Sequence, residues 1–250
     1  MGTVAVGRGA VNGFETGLLG DRAWLEVAGG ARIALPAERW HAAPADGDEL
    51  LLGACTGPTV DIGCGPGRLG AALGELGVPV LGVDSSPVAV ELARRRGVPV
   101  VQRNVFERLP AEGRWRHALL ADGNIGIGGD PVGLLHRVAR LLAPGGSALV
   151  ELDPPGGGLR RSRARISTGG ESAPGAWFDW AWVAADAAPE VASDAGLRLD
   201  WVVGRGGRWF AELRKPGDAP STTEDATECT AGQATEDPAC GPVGGGQERW

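Results

Sequence analysis

The sequence contains few of the residues that mark secreted, metal-binding or membrane proteins. Its four cysteines, at positions 55, 64, 229 and 240, fit neither a zinc site nor a disulfide framework by their spacing. No apolar run is long enough to cross a membrane, and no positively charged segment leads into an apolar run at the N-terminus. These absences predict a soluble, cytoplasmic protein without a metal site.

Lysine is nearly absent as well, and the charge is unevenly distributed. Lys215 is the single lysine, so arginine supplies almost all the basic side chains. The formal net charge is −7, but residues 216–250 contain seven acidic residues and one arginine, which leaves the rest of the chain near −1. Nucleic-acid binding requires a basic surface. A nearly neutral body therefore predicts no DNA or RNA substrate.

The chain divides into three predicted parts. Residues 1–50 are predicted to form a glycine-rich arm, a β-hairpin with strands at 24–27 and 32–35, and a cap segment. Residues 51–215 are long and apolar enough for one α/β domain with a full core. From residue 216 the chain is rich in Thr, Glu, Asp, Gly and Pro, which predicts a disordered acidic tail.

The most informative stretch is a short strand that leads into a glycine-rich loop and then a helix. Residues 59–62 read as a buried strand, and leucine and alanine recur at helical spacing over residues 68–76. Between them, Gly63, Gly65 and Gly67 allow the backbone to turn sharply and to pass close to a ligand. This pattern predicts a nucleotide-binding turn.

Two kinds of ligand suit such a turn. Residues 65–70 satisfy the GxGxxG pattern of dinucleotide-binding proteins, in which a helix N-terminus receives a pyrophosphate. Asp61, at the end of the preceding strand, would repel a pyrophosphate but would attract the ammonium group of an amino-acid moiety. The loop therefore favours a ligand without phosphates.

At this point the sequence resembles a known family. Residues 61–67, Asp-Ile-Gly-Cys-Gly-Pro-Gly, are similar to the first motif of the class I S-adenosylmethionine-dependent methyltransferases. The resemblance extends over about residues 55–153, where a helix, Pro-Gly-Gly and a strand form another recurrent feature of that family. It implies an α/β fold with a doubly wound, mainly parallel seven-stranded Rossmann-like sheet, an antiparallel C-terminal strand pair, and S-adenosyl-L-methionine as cofactor.

The resemblance also implies roles for residues after the second and third strands. Asp84 ends the second strand, where a carboxylate accepts hydrogen bonds from ribose hydroxyls, and Ser85 follows it. Asn104 is expected to meet the adenine amino group; the family commonly has aspartate there, but asparagine still offers a carbonyl oxygen. Val105 and Phe106 are the candidates for contact with the adenine ring, with a plain core role for Phe106 as the alternative.

Further candidates lie in the first glycine-rich loop and around a second one, residues 123–131, which follows a fourth predicted strand at 115–122. Asp122 ends this strand and Asn124 follows it, and both are expected near the transferable methyl group, or alternatively to cap the next helix. Cys64 is better explained as a small residue in a crowded turn than as a catalytic thiol. The predicted cofactor-binding residues are Asp61, Gly63, Cys64, Gly65, Gly67, Asp84, Ser85, Asn104, Val105, Phe106, Asp122 and Asn124.

An inserted hairpin at about residues 158–184 is predicted to carry the acceptor contacts. Trp180 and Trp182 alternate along its second strand, so their rings share one face that could cover the active site. A packed apolar face on an edge strand explains the same pattern equally well. His41, in the cap segment, is a candidate base beside the acceptor, with a surface or packed histidine as the alternative.

The function predicted from these motifs is methyl transfer to a small-molecule acceptor by in-line displacement. Such a reaction depends on holding the acceptor near the methyl carbon and excluding water, so no catalytic residue is assigned. The alternatives are an NAD-dependent oxidoreductase with the same loop and a non-catalytic cofactor-binding protein. The sequence predicts neither the acceptor atom nor the oligomeric state.

Overall fold

The computed structural model describes residues 13–168 and 174–217. The predicted N-terminal arm lies outside the described residues as far as position 12, and the predicted acidic tail lies outside them from position 218. No helix in the described part of the chain is long and apolar enough to cross a membrane.

Eleven strands and seven helices occur in these residues. The strands are β1 (Ala23–Val27), β2 (Arg32–Ala34), β3 (Thr59–Ile62), β4 (Val80–Asp84), β5 (Val100–Gln102), β6 (Trp115–Leu120), β7 (Leu142–Leu152), β8 (Leu159–Thr168), β9 (Phe178–Val183), β10 (Arg198–Arg205) and β11 (Arg208–Arg214). The helices are α1 (Glu15–Leu18), α2 (Ala37–His41), α3 (Asp48–Ala54), α4 (Arg68–Glu75), α5 (Pro87–Arg95), α6 (Pro131–Leu141) and α7 (Ala188–Asp194). A short 3₁₀ turn, Asn124–Gly126, follows β6.

Seven of the strands form the main sheet, in the order β10-β11-β7-β6-β3-β4-β5. The neighbouring strands from β7 to β5 are parallel, whereas β11 runs antiparallel to both β7 and β10. Helices α4, α5 and α6 each connect two parallel strands, as parallel pairing requires. The prediction of a mainly parallel seven-stranded sheet with an antiparallel C-terminal strand pair is confirmed.

Helices cover both faces of the main sheet. Along β6, Ala118 and Leu120 belong to the core that α6 and α7 complete, while Leu119 belongs to the core beneath α3 and α4. Successive strand residues point to opposite faces. A strand that is covered on both sides must therefore be apolar throughout, which accounts for the continuous apolar run at the end of β6.

The four remaining strands form a second, antiparallel sheet in the order β2-β1-β8-β9. The sequence predicts two hairpins, 24–35 and 158–184, and the structure joins them because β1 pairs with β8, with Leu25 opposite Ile166. A lone two-stranded hairpin is marginally stable in water. Joining the hairpins buries Leu25, Ala164 and Ile166 in a common apolar cluster.

One strand boundary differs from the prediction. The sequence predicts that Pro144-Gly145-Gly146 separates a helix from a strand beginning at Ser147, but β7 already begins at Leu142. Leu142 pairs with Trp115, and the register then shifts before Ser147 pairs with His117. Two residues of the stretch between these pairs do not fit a regular strand. Pro144 has no amide hydrogen to donate to a neighbouring strand, and Gly145 has a φ of +70°.

The second sheet contacts the loop that follows β6. Ile127 in this loop pairs with Trp180 of β9. At Gly126, a Cβ would overlap the carbonyl oxygen of Ala181 and would lie 2.8 Å from the Trp180 indole. The glycine therefore permits the close approach that places β9 over the strand ends of the main sheet.

Replacing Gly126 by alanine should destabilise the protein by about 1–3 kcal/mol, because the added methyl group meets backbone that must shift. Urea unfolding measures this difference. Gly74→Ala in α4 is the matched control, since no atom lies within 4 Å of its Cβ position, and it should stabilise the helix by about 0.5–1 kcal/mol. Unchanged stability of Gly126→Ala would show that β9 does not need this contact.

Candidate functional site

A cavity of about 1170 Å³ lies at the carboxyl ends of β3, β4, β6 and β7. In doubly wound sheets this edge is where ligands bind. The second sheet supplies one wall, and α1 and α2 contribute further residues. The volume exceeds the usual range for a site that holds one small molecule, so there is room for a cofactor and a second ligand.

The first glycine-rich loop forms the floor of the cavity beside β3. Gly63, Gly65 and Gly67 all have positive φ, at +67°, +52° and +80°, which is the region that favours glycine. The Asn124 amide Nδ2 donates to the carbonyl oxygens of Ile62 and Gly63, both at 2.9 Å. A Cβ on Gly63 would lie only 2.6 Å from that nitrogen. Asn124 therefore holds the loop, as well as lining the cavity.

Two predicted loop residues have mainly packing contacts. Cys64 lines the cavity, but its side chain is buried with Ala93 and Val98. Burial, with the nearby acidic groups, raises the pKa of the Cys64 thiol well above its ordinary value, which disfavours the nucleophilic thiolate. Gly67 does not line the cavity; a Cβ there would lie 2.9 Å from Val98. The absence of a side chain at Gly67 therefore lets the loop pack closely against Val98, which follows α5.

Asp84 presents a carboxylate at the end of β4. Its Oδ2 accepts from the Gly65 amide at 3.0 Å and its Oδ1 accepts from the Ser86 amide at 2.9 Å. Burial raises the pKa of Asp84, and these two hydrogen bonds act in the opposite direction. Ser85 lies beside it and also lines the cavity. The first glycine loop and the end of β4 are thus fixed to each other by the side chain of Asp84.

Asp61 is a buried acid with a raised pKa. Its side chain is 3% exposed at the floor of the cavity. Burial, followed by the charge of Asp122, raises the pKa of Asp61 to about 7, although Arg68 acts to lower it. Such a carboxyl group would gain from a cationic partner, which would restore the charged form.

The residues predicted to meet adenine follow β5. Asn104 lines the cavity, but its Oδ1 already accepts from the Phe106 amide at 3.0 Å. A carbonyl oxygen has a second lone pair, so one further donor can still be bound. Val105 is buried in the main core and borders the cavity. Phe106 is 45% exposed and borders the cavity near Gly128, so it is not a plain core residue.

Asp122 has an unusual backbone and two arginine partners. Its φ is +53°, a conformation that costs energy in residues other than glycine. Its Oδ2 accepts from Nη2 of Arg68 at 2.9 Å, and its Oδ1 lies 2.5 Å from Nη2 of Arg39 without hydrogen-bond geometry. Its amide donates to Glu151 at 2.7 Å. Asp122 is therefore committed to an ion network and is not a free base.

That network continues beneath the cavity. Arg68, which begins α4, also pairs with Asp48, which is completely buried. Arg208 donates to Asp48 at 2.9 Å and to both oxygens of Glu151 at 2.8 Å. The members, named here the arginine network, are Arg39, Asp48, Arg68, Asp122, Glu151 and Arg208. Three arginines face three carboxylates, and the sequence pattern predicts only Asp122 as part of the site.

The predicted acceptor contacts divide into two groups. Trp180 and Trp182 line the cavity, on the inner face of the second sheet. Trp180 belongs to an aromatic cluster with Phe14 and Phe178, whose ring centroids lie 5.8–5.9 Å apart. His41 does not line the cavity, because its Nε2 lies 2.9 Å from the carbonyl oxygen of Leu18 and holds α2 against α1. Its predicted role as a base beside the acceptor has no support in this position.

The charged residues that the N-terminal segment contributes to the cavity also went unpredicted. Glu15 in α1 and Arg39 in α2 line its wall. Both lie in segments of weak periodicity, where no motif marks a ligand contact. The described residues contain no cluster of three His, Cys, Asp or Glu side chains arranged for a metal ion.

Asp61→Asn should become more stable relative to wild type as the pH rises. The folded protein keeps a proton on Asp61 up to about pH 7, whereas the unfolded chain loses it near the ordinary pKa of an aspartate, about 3.9. Protonated Asp61 therefore stabilises the folded wild-type protein at low pH, and this contribution to the free energy of unfolding is lost between about pH 4 and pH 7. Asparagine has no such loss, so urea unfolding should show a relative gain on the order of 2–4 kcal/mol over that range.

Asp194→Asn is the control for this measurement, because Asp194 is exposed on α7 and away from the cavity. Its stability relative to wild type should not vary over the same pH range. A constant difference between Asp61→Asn and wild type would mean that Asp61 ionises like a solvent-exposed aspartate.

Comparison with known proteins finds similarity to methyltransferases. Residues 59–146 match the family model described as a methyltransferase domain. An uncharacterised protein of Mycobacterium tuberculosis (strain H37Rv) is 35% identical over 99 residues, which cover 40% of this chain and 33% of that protein. The chain thus spans about one third of the length of the curated relatives it matches.

Two solved structures have the same fold. A methyltransferase from Bacteroides fragilis in complex with S-adenosyl-L-homocysteine has a TM-score of 0.63 and 23% identity, over 78% of this chain and 88% of that one. The 1,6-didemethyltoxoflavin-N1-methyltransferase of Burkholderia thailandensis has a TM-score of 0.52 and 23% identity, over 67% of this chain and 74% of that one. Residues 59–146 thus match the methyltransferase-domain family model, and the chain has the class I S-adenosylmethionine-dependent methyltransferase fold that its motifs resemble.

Proposed function

We propose that this protein transfers the methyl group of S-adenosyl-L-methionine to a small-molecule acceptor. The observation that carries the proposal is the cavity itself. Asp61, the glycine loop and Asp84 line one part of it, and the aromatic cluster lines another. One cavity at the strand ends thus has both a polar region of the kind that suits the cofactor and an apolar region for a second molecule.

The cofactor residues fit the chemistry of S-adenosyl-L-methionine. Asp84 and Ser85 offer oxygen atoms to ribose hydroxyls, and Asn104 has one acceptor lone pair left for the adenine amino group. Asp61 provides the buried carboxyl group that an ammonium ion would stabilise in its charged form. Val105 and Phe106 supply apolar surface for the adenine ring.

The remaining predicted cofactor residues shape the site. Gly63 and Gly65 bring the backbone close to the ligand, and Asn124 holds their loop. When bound, the cofactor supplies an electrophilic methyl group. The protein's task is then to hold the acceptor atom close to that carbon and to exclude water, for which the second sheet provides a cover.

A small acceptor is supported by the enclosure of the apolar region. Phe178, Trp180 and Trp182 from β9 and Trp40 from α2 all line the cavity, and a mostly apolar enclosure is typical of small-ligand sites. The Burkholderia protein of the same fold acts on 1,6-didemethyltoxoflavin, which is a small molecule. The near-neutral charge of the body also favours a small acceptor over nucleic acid, which requires a basic surface.

Asp84→Ala should weaken binding of S-adenosyl-L-homocysteine by about 1.5–3 kcal/mol, the range for hydrogen bonds to a charged group. Isothermal titration calorimetry measures the affinity, with Asp194→Ala as an exposed control that should bind like wild type. Titration with NAD in parallel tests the oxidoreductase alternative. Tight binding of NAD without binding of S-adenosyl-L-homocysteine would refute the proposed cofactor.

Trp182→Ala should raise the Michaelis constant for the acceptor several-fold and leave S-adenosyl-L-homocysteine affinity unchanged, because it removes apolar surface from the acceptor region only. Steady-state kinetics with an acceptor found by screening amines, phenols and heteroaromatic compounds measures this effect. Trp24→Ala is the matched control: Trp24 is in the same sheet but does not line the cavity. A fall in cofactor affinity, with unchanged acceptor kinetics, would place the acceptor elsewhere.

A further inference from the structure

Glu15, in the short helix α1, has a buried oxygen without a partner. The residue lines the cavity and is partly exposed, and its Oε2 is turned inward without a hydrogen-bond partner among residues 13–168 and 174–217. An unsatisfied buried acceptor is costly. A ligand that donates a hydrogen bond from within the cavity would remove this cost.

The position of α1 indicates which part of a ligand Glu15 would meet. Helix α1 packs against α5, which begins two residues after Ser85. Glu15 lies close enough to Asp84 for its charge to raise the pKa of Asp84. The charges that act on Asp61 come from Asp122, Arg68 and Asp84 instead. Glu15 therefore belongs to the Asp84 side of the cavity.

Two carboxylates that face one region favour a ligand group with more than one donor. Both oxygens of Asp84 already accept backbone hydrogen bonds, from Gly65 and Ser86. A vicinal diol has two hydroxyl donors, and a second carboxylate gives each hydroxyl its own acceptor. The ammonium group of an amino-acid moiety suits Asp61, the buried acid of β3.

We propose that Glu15 accepts a hydrogen bond from a ribose hydroxyl of the cofactor and acts together with Asp84 as a two-carboxylate clamp on the ribose. This inference rests on the proposed function, since it requires S-adenosyl-L-methionine in the cavity. Its consequence is that the N-terminal segment takes part in cofactor binding. Helix α1 then contributes to the cofactor site, while the aromatic Phe14 beside it contributes to the acceptor region.

Binding of S-adenosyl-L-homocysteine and of its 2′-deoxy and 3′-deoxy analogues tests the clamp. Glu15→Ala should weaken S-adenosyl-L-homocysteine binding about tenfold, as expected for loss of a hydrogen bond to a charged group. With the analogue that lacks the hydroxyl bound by Glu15, wild type and variant should have the same affinity. Glu15→Gln keeps an acceptor oxygen and the side-chain shape, so its loss should be smaller.

Glu38→Ala serves as the control, because Glu38 is exposed in α2 of the same N-terminal segment and does not line the cavity. It should bind all three ligands like wild type. Equal losses for all three ligands in Glu15→Ala, or no loss for any of them, would overturn the ribose contact. Failure of wild type itself to bind S-adenosyl-L-homocysteine would instead overturn the proposed function.

Discussion

The arginine network holds the cavity floor together, and Arg68 is its central member. Arg68 begins the helix after the glycine loop, and it joins Asp48 of α3 to Asp122 after β6. Removing one partner from a buried ion pair typically costs about 3–5 kcal/mol, because the remaining charge stays buried. The loop, α3 and the end of β6 therefore depend on one another. Arg39 extends this dependence to the cap segment by its contact with Asp122.

The cover of the cavity depends on a pairing between distant parts of the chain. β1 and β8 are more than 100 residues apart, yet their pairing creates the second sheet and places the aromatic face of β9 over the strand ends. The residues that complete the site, Glu15 and Arg39, flank the β1-β2 hairpin. The N-terminal segment therefore contacts the insertion after β7 through the β1-β8 pairing, and the insertion contacts the main sheet through the loop after β6.

Sequence patterns predicted the main sheet and most of the loop and strand-end residues that line the cavity, because both depend on local signals. Glycine at positions 63, 65 and 67, with acids at strand ends, marks a loop and its neighbours within about 25 residues. The second sheet and the arginine network depend on contacts between residues that are far apart in the sequence. A single sequence contains no periodic pattern that predicts such contacts. Arg68 reads as an ordinary helix residue, and only its burial against Asp48 identifies its role. His41 shows the converse, since a residue type typical of catalysis is used to connect two helices.

This division explains why the donor is easier to infer than the acceptor. The cofactor region uses backbone turns and strand-end carboxylates, and such features follow from the fold. The apolar wall proposed for the acceptor takes its residues from Phe14, from α2 and from β9, which are three separate segments of the chain. Changes in these segments can alter the apolar wall without disturbing Asp61, Asp84 or the glycine loop. A fold of this kind can therefore keep one methyl donor while its acceptor site varies, so the proposed acceptor would be selected by these three segments and not by the residues that follow from the fold.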